Sequence, residues 1–280
     1  MQHFETAYIT YDKKELYLQA WMPEVPKAAL FLVHGLGEHS SRYQYFAERL
    51  VRDGIAVFTF DGRGHGKSSL LKPTAYFENY EDYLKDIDAL FDKVKSYCKG
   101  FPAFIFGHSM GGGLVTKYVL DYDSSANGVI LSAAALKPAD NISKALIAIS
   151  SFVSKLAPKL KVLKLDSKLI SHDPEEVKKY DEDPLVYSEA IPARTGYELL
   201  RLMRETEEKF NQFSLPLLIL HGTDDQLTNP LGSEMLFTKA NVEDKTFLKY
   251  PGLYHELLNE FEKEKVIEDI LKWINERVKK

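Results

Sequence analysis

The stretch Gly107-His108-Ser109-Met110-Gly111 sets a serine between two glycines, each two residues away. A serine hydroxyl is a weak nucleophile at neutral pH and acts only when a base takes its proton. Histidine is the usual base, and an acid behind it fixes its tautomer and stabilises the imidazolium that forms. The chain supplies both further on, as Asp224-Asp225 and then His255. Serine, acid and histidine in that order suit acyl transfer through a covalent serine ester. Spacing alone leaves Asp224 and Asp225 as competing acids. In a tight turn one aspartate bonds its own backbone while its neighbour projects elsewhere.

The elements needed to position these groups surround them in the sequence. Phe101 to Phe106 is nearly all apolar, as expected of a strand buried on both faces of a parallel sheet. Behind the serine, Leu114, Val115, Tyr118 and Val119 recur at helical spacing. A strand, a sharp turn and a helix lift the hydroxyl above the sheet, and the first helical amides point at whatever binds there. The backbone N–H of Met110 is therefore one expected donor to an oxyanion. The second is expected from the loop after the strand Ala28 to Val33, where Leu36 stands between Gly35 and Gly37. Asp225 lies just beyond a strand at Leu215 to Leu220, and His255 just beyond one at Lys245 to Tyr250.

The remaining pattern alternates strands with helices. Thr6 to Tyr11 and Leu16 to Trp21 form a hairpin, and Ile55 to Phe60 is a further strand. Helices are expected over Arg42 to Arg52, Tyr80 to Tyr97, Gly232 to Lys239 and Lys263 to Val278. This alternation predicts an α/β fold, a mostly parallel central sheet with helices on both faces. From Leu136 to Phe213 the texture changes to helical stretches and charged loops with no convincing strand. That interval is expected as a mainly helical cap (136–213) over the carboxyl edge of a core made of 1–135 and 214–280.

Composition narrows the function. Of the 280 residues 45% are hydrophobic and 28% charged, as in a globular protein with a substantial core. A formal net charge of −5 argues against a nucleic-acid partner. A single cysteine, Cys98, rules out an intramolecular disulfide and fits a reducing compartment. The N-terminus lacks the basic start and apolar core of a signal peptide, and no apolar run has the 18 or so residues that span a bilayer. A cytoplasmic protein is expected. The histidines are scattered and the carboxylates lack ligand spacing, so no metal is expected. The glycine-rich loops match neither a phosphate-binding nor a dinucleotide-binding motif, so no cofactor is expected either. Asp61, Arg63 and His65 are expected to form a hydrogen-bonded brace, and Glu38, His39, Arg42 and Tyr43 to order the loop that carries Leu36.

Taken together, His34-Gly35-Leu36-Gly37-Glu38-His39-Ser40 with Arg42-Tyr43, the run Asp61 to Ser68, and Gly107 to Gly112 resemble the monoacylglycerol lipase and lysophospholipase branch of the serine α/β-hydrolases. His221-Gly222-Thr223-Asp224-Asp225 and Tyr254 to Glu260 continue the resemblance, which covers nearly the whole chain. It implies the α/β-hydrolase fold, a triad of Ser109, Asp225 and His255, and oxyanion amides at Leu36 and Met110. Leu36 departs from the alanine of many relatives, which should narrow the mouth of the site and spare the amide. The implied reaction is hydrolysis of monoacylglycerols or similar single-chain lipid esters to fatty acid and glycerol, without a cofactor. A lysophospholipase or general carboxylesterase is the alternative, and a peptidase of the same fold a more distant one.

One feature of the expected cap concerns partners. Between Asn141 and Leu165 stand Lys144, Lys155, Lys159, Lys161 and Lys164, with no acidic residue. Ile142, Leu146, Ile149, Phe152, Val153, Leu156 and Leu160 are interleaved with them. An apolar face with a basic fringe suits weak peripheral contact with a membrane. The competing expectation is that the face only roofs an acyl tunnel.

Overall fold

The computed structural model describes residues 1–122, 124–139 and 143–278, apart from the side chains of Lys144 and Leu146. The expectations attached to Asn141, Ile142 and those two side chains fall outside the described residues. An antiparallel hairpin of β1 (Gln2–Ile9) and β2 (Glu15–Met22) opens the chain. Next come β3 (Ala28–Val33), α1 (Gln44–Arg52), β4 (Ile55–Phe60), α2 (Tyr80–Tyr97), β5 (Ala103–His108), α3 (Met110–Asp121) and β6 (Gly128–Ser132). The interval 136–213 holds α4 (Lys144–Leu156), β7 (Lys161–Leu163), α5 (Pro174–Glu182), β8 (Ile191–Pro192) and α6 (Ala193–Glu207). The chain then returns with β9 (Leu217–Gly222), α7 (Pro230–Lys239), β10 (Lys245–Tyr250) and α8 (Lys263–Val278).

Eight strands form one sheet in the order β1-β2-β4-β3-β5-β6-β9-β10. The two pairings at the hairpin end are antiparallel and every other is parallel. The apolar strands read as they do because both their faces are covered. In β3, Ala29, Phe31 and Val33 join one core with residues of α2 and α3, while Ala28, Leu30 and Leu32 join another with residues of α1 and α8. The same alternation divides Ile105 from Phe104 and Phe106 in β5, and Ile219 from Leu218 and Leu220 in β9. Helix starts follow local capping: Asn79 accepts from the Asp82 amide before α2, and Asp173 accepts from the Glu175 amide with Pro174 opening α5.

Two expectations need correction. The interval 136–213 does contain strands, since β7 and β8 pair antiparallel through Lys161↔Pro192 and Leu163↔Ile191. They are three and two residues long, too short to show any period. The first strand begins at Gln2, not Thr6. It is an edge strand exposed on both faces except at Tyr8, so no alternation of polar and apolar residues marks its start.

Because β3, β4, β5, β6, β9 and β10 run parallel, their carboxyl ends share one edge of the sheet. The segments leaving that edge begin at His34, Asp61, Ser109, Ala133, Thr223 and Pro251. Open α/β sheets bind ligands at such an edge.

Candidate active site

β5 ends at His108, and Ser109 then takes φ 52° and ψ −119° before α3 begins at Met110. A left-handed φ is strained for a side-chain-bearing residue and persists only where the surroundings impose it. Here the Ser109 amide donates to the Ser132 carbonyl at 3.0 Å, and its carbonyl accepts from the Ala135 and Gly113 amides at 2.9 and 3.1 Å. The flanking glycines let strand and helix touch. A Cβ on Gly107 would lie 2.5 Å from the Gly111 carbonyl oxygen, and one on Gly111 would lie 2.2 Å from that of Val33. Both contacts are shorter than van der Waals packing allows.

Beyond β9 the two aspartates part company. Asp224 is exposed and its carboxylate accepts from the Thr223 hydroxyl, whereas Asp225 is buried. Oδ1 of Asp225 accepts from the Leu227 and Thr228 amides at 2.8 and 3.0 Å. Oδ2 accepts from His255 Nδ1 at 2.8 Å, from the Thr228 hydroxyl at 2.7 Å and from His221 Nε2 at 3.1 Å. One carboxylate thus both caps its own turn and holds the histidine, instead of the two aspartates dividing those tasks. Burial opposes its charge, but the neighbouring His255 and His221 outweigh burial and hold it well below the ordinary carboxylate range.

A carboxylate only accepts, so Nδ1 of His255 carries the proton and Nε2 is the basic nitrogen. Burial disfavours the imidazolium of His255, yet the Asp225 charge and hydrogen bond prevail and raise its pKa above the ordinary 6.5. His108 behaves oppositely. Its burial, with the tilted ring of His255 at 4.7 Å between centroids, pushes it down to about 4, and its Nδ1 donates to the Ser132 carbonyl at 3.1 Å. His221 is also fixed: with Nε2–H given to Asp225, its Nδ1 accepts from the Ser233 hydroxyl at 2.8 Å.

The loop carrying Leu36 is tied from beneath. Glu38 Oε1 accepts from the Gly35 amide and the Tyr43 hydroxyl, both at 2.6 Å, and Oε2 accepts from Arg42 at 3.0 Å. Arg42 also grips Glu256 through two bonds of 2.6 and 2.7 Å, and stacks on Tyr180 of α5. The loop carrying Leu36 and the residue following His255 are therefore held by one guanidinium. His39 pairs with Asp183 at 2.8 Å. The run Asp61 to Ser68 is a brace: Asp61 accepts from the Ser40 and Lys67 amides, and Arg63 pairs with Asp86 and Asp12. His65 is buried, donates to the Arg63 carbonyl, and is pushed down to about 3 by burial and the nearby His34.

Above these groups lies a cavity of about 450 Å³. Leu36, His108, Ser109, Met110 and His255 form its floor, and Val153, Val162, Leu163, Ile170, Leu199 and Met203 from the interval 136–213 give it an apolar wall. Met110 opens α3, so its amide has no acceptor within the helix. Among the described residues no group of three or more histidine, cysteine, aspartate or glutamate side chains could hold a metal ion.

Comparison with known proteins agrees with this arrangement. Residues 24–262 match the family model described as serine aminopeptidase, S33. A monoacylglycerol lipase of Mycolicibacterium smegmatis is 34% identical over 255 residues, 91% of this chain and 90% of its own. The chain belongs to this family of monoacylglycerol lipase-like serine α/β-hydrolases. Among solved structures, the monoacylglycerol lipase of Paleococcus ferrophilus is 32% identical with a TM-score of 0.84, covering 94% of this chain and 99% of its own. A soluble variant of monoglyceride lipase from Saccharomyces cerevisiae, in complex with a substrate analog, is 23% identical with a TM-score of 0.89, over 99% of this chain and 95% of its own. It shares the α/β-hydrolase fold.

In this hydrolase the residues singled out from sequence converge: Leu36, Ser109, Met110 and His255 line one cavity, with Asp225 bonded to His255 behind it. Sequence reasoning passed over Thr228 and gave Glu260, the last residue of the resembling run Tyr254 to Glu260, no role. Thr228 stands three residues after Asp225, a turn spacing that could have flagged it. Glu260 is buried and accepts from the Tyr254 and His172 amides at 2.7 and 3.0 Å, so it ties the loop before His255 to the segment after β7. No local pattern announces that pairing, 88 residues apart.

Proposed function

We propose that this hydrolase cleaves the ester bond of monoacylglycerols, with Ser109 as nucleophile, His255 as base and Asp225 as its orienting acid. The observation that carries the reading is the Asp225–His255 pair at 2.8 Å set behind a strained Ser109 at the floor of an apolar-walled cavity. Nε2 of His255 takes the hydroxyl proton as Ser109 Oγ adds to the ester carbonyl carbon. The resulting oxyanion accepts from the Leu36 and Met110 amides. When the tetrahedral adduct collapses, the C–O bond to glycerol breaks and the glycerol oxygen takes the proton from His255. Water, deprotonated by His255, then attacks the acyl-serine; the bond to Oγ breaks, the fatty acid leaves, and Oγ takes the proton back from His255.

Within this reading, 136–213 is a cap over a core of 1–135 and 214–280. It supplies the apolar wall that a single acyl chain requires. The cap also makes weak, peripheral contact with a lipid surface. In support, Ile149, Phe152 and Leu156 of α4 are 52%, 69% and 74% exposed, while Val153 and Ser150 of the same helix face the cavity. Lys155, Lys159, Lys161 and Lys164 are exposed beside them. Among the described residues no helix is long and apolar enough to cross a membrane.

The test uses a fluorophosphonate probe and a monoacylglycerol. Wild type is expected to be labelled and to release fatty acid. Ser109→Ala should be unlabelled, with kcat lower by a factor on the order of 10⁶. Labelling of Ser109→Ala would refute the nucleophile. Turnover of aminoacyl amides in preference to esters would move the substrate class to peptides.

A further inference from the structure

The short loop between the Asp61–Ser68 brace and Pro73 leaves two adjacent leucines in water. Leu70 is 100% and Leu71 98% exposed, and the next most exposed large apolar side chain among the described residues, Tyr97, stands at 79%. Single exposed apolar residues are ordinary, but apolar side chains that gather on one face mark an interaction surface. The loop has such company. Lys72 Nζ lies 3.8 Å from Glu189, a residue of the cavity wall, and Glu189 also pairs with Lys161. Lys161 follows Leu160, itself 53% exposed. Lys159 lies over the Tyr76 ring at 5.9 Å from its centroid. The loop is thereby tied to the rim of the cavity, next to the stretch that runs on from the exposed face of α4.

Resting on the reading of a lipid-facing cap, we infer that Leu70 and Leu71 form a second and separate point of insertion into an anionic lipid surface. The chemistry of the rim selects this occupant. Leu70, Leu71, Leu160, Phe152 and Leu156 offer side chains to the acyl boundary, and Lys72, Lys155, Lys159 and Lys161 stand at the level of the headgroup phosphates. One amphipathic helix resting on a surface leaves the protein free to roll about the helix axis. A second foot at another part of the rim removes that freedom and holds the cavity mouth toward the lipid that contains the substrate. The two leucines lie outside the catalytic machinery and outside the cavity lining.

The experiment measures co-sedimentation with vesicles of phosphatidylcholine and phosphatidylglycerol in equal parts, at low salt. It compares wild type, Leu70→Ser/Leu71→Ser and Phe152→Ser/Leu156→Ser. The loop variant should bind roughly tenfold or more weakly, since each leucine contributes transfer free energy on entering the interface. Its thermal midpoint and its turnover of a short soluble ester should equal those of wild type. A loss of binding in both variants supports the inference; if only the loop variant loses it, the cap reading fails and with it the claim of a second foot, and if neither does, both readings are overturned. If the α4 variant binds weakly and the loop variant binds as wild type, the loop inference is overturned and the cap reading stands. Absence of wild-type binding overturns both. If light scattering shows a wild-type dimer that the loop variant breaks, with vesicle binding unchanged, the leucines face a second copy and the lipid assignment is overturned.

Discussion

Replacing Asp225 by asparagine conserves shape and changes hydrogen-bond character, and the structure determines the consequence. Oδ1 faces two backbone amides that can only donate, from Leu227 and Thr228. Turning the new NH₂ toward them would set donors against donors and leave buried groups unpaired, at about 1–3 kcal/mol each. The NH₂ must therefore take the place of Oδ2, where it meets His255 and His221. His221 can respond by moving its proton to the other ring nitrogen. His255 responds by accepting at Nδ1 and carrying its proton on Nε2, the tautomer that cannot accept a proton from Ser109. The expected loss in kcat is on the order of 10⁴, the magnitude associated with a wrong tautomer. Asp224→Asn, at an exposed carboxylate bonded only to the neighbouring hydroxyl, should stay within about threefold of wild type, as surface substitutions usually do. Initial rates on a short soluble ester, corrected for the folded fraction by thermal melting, measure both. A larger loss in Asp224→Asn, or an Asp225→Asn enzyme within about tenfold of wild type, would refute the tautomer argument.

Two further outcomes follow from the site. His255 must be neutral to act as base, and the Asp225 charge prevails over burial to raise its pKa above 6.5, so kcat/KM should climb with pH through a midpoint above that value and then level off. A midpoint below 6.5, or a profile flat from about pH 5 to about pH 9, would contradict the assignment of His255. Gly111→Ala would drive a Cβ to within 2.2 Å of the Val33 carbonyl oxygen, so it should destabilise the fold by about 1–3 kcal/mol or more and abolish fluorophosphonate labelling, both checked on one preparation.

Legibility tracked burial and closeness in sequence. The strands from β3 to β6 and β9 could be recognised because both faces of each are buried, which leaves unbroken apolar runs such as Ala28 to Val33. β1 escaped in part because Gln2 to Thr6 are all exposed, so no buried face imposes an apolar pattern on them. β7 and β8 exist only as partners for each other, 28 or more residues apart, and neither carries a pattern of its own. Ser109 and His255 could be located because the first directly follows the end of β5 and the second stands in the loop that leaves β10. Spacing alone could not choose between Asp224 and Asp225, and only the resemblance pointed to Asp225, since the choice depends on which carboxylate meets two amides downstream and a ring 30 residues away. The grip of Arg42 on Glu256 spans 214 residues and has no local signature. The exposed pair Leu70-Leu71 is equally silent, because two leucines in a row read as core in any sequence.

The interval 136–213 departs from the end of β6 and returns at β9, and these strands are neighbours in the sheet, with Val129↔Leu217 through Ser132↔Leu220 in register. Both ends of the excursion are thus fixed by adjacent rungs of one ladder, whatever lies between. Closing a longer loop across the same gap costs only about 0.6 kcal/mol per doubling of length. The part of the chain that shapes the acyl wall is therefore plugged into the scaffold like an exchangeable cartridge. Selection, or a designer of chimeras, can lengthen, shorten or replace it between two fixed strand ends, provided that the contacts of His39, Arg42, Glu256 and Glu260 with Asp183, Tyr180, Ile170 and His172 are kept. A single decision in strand order thus makes the wall of the cavity replaceable while the ladder beneath it stays in register.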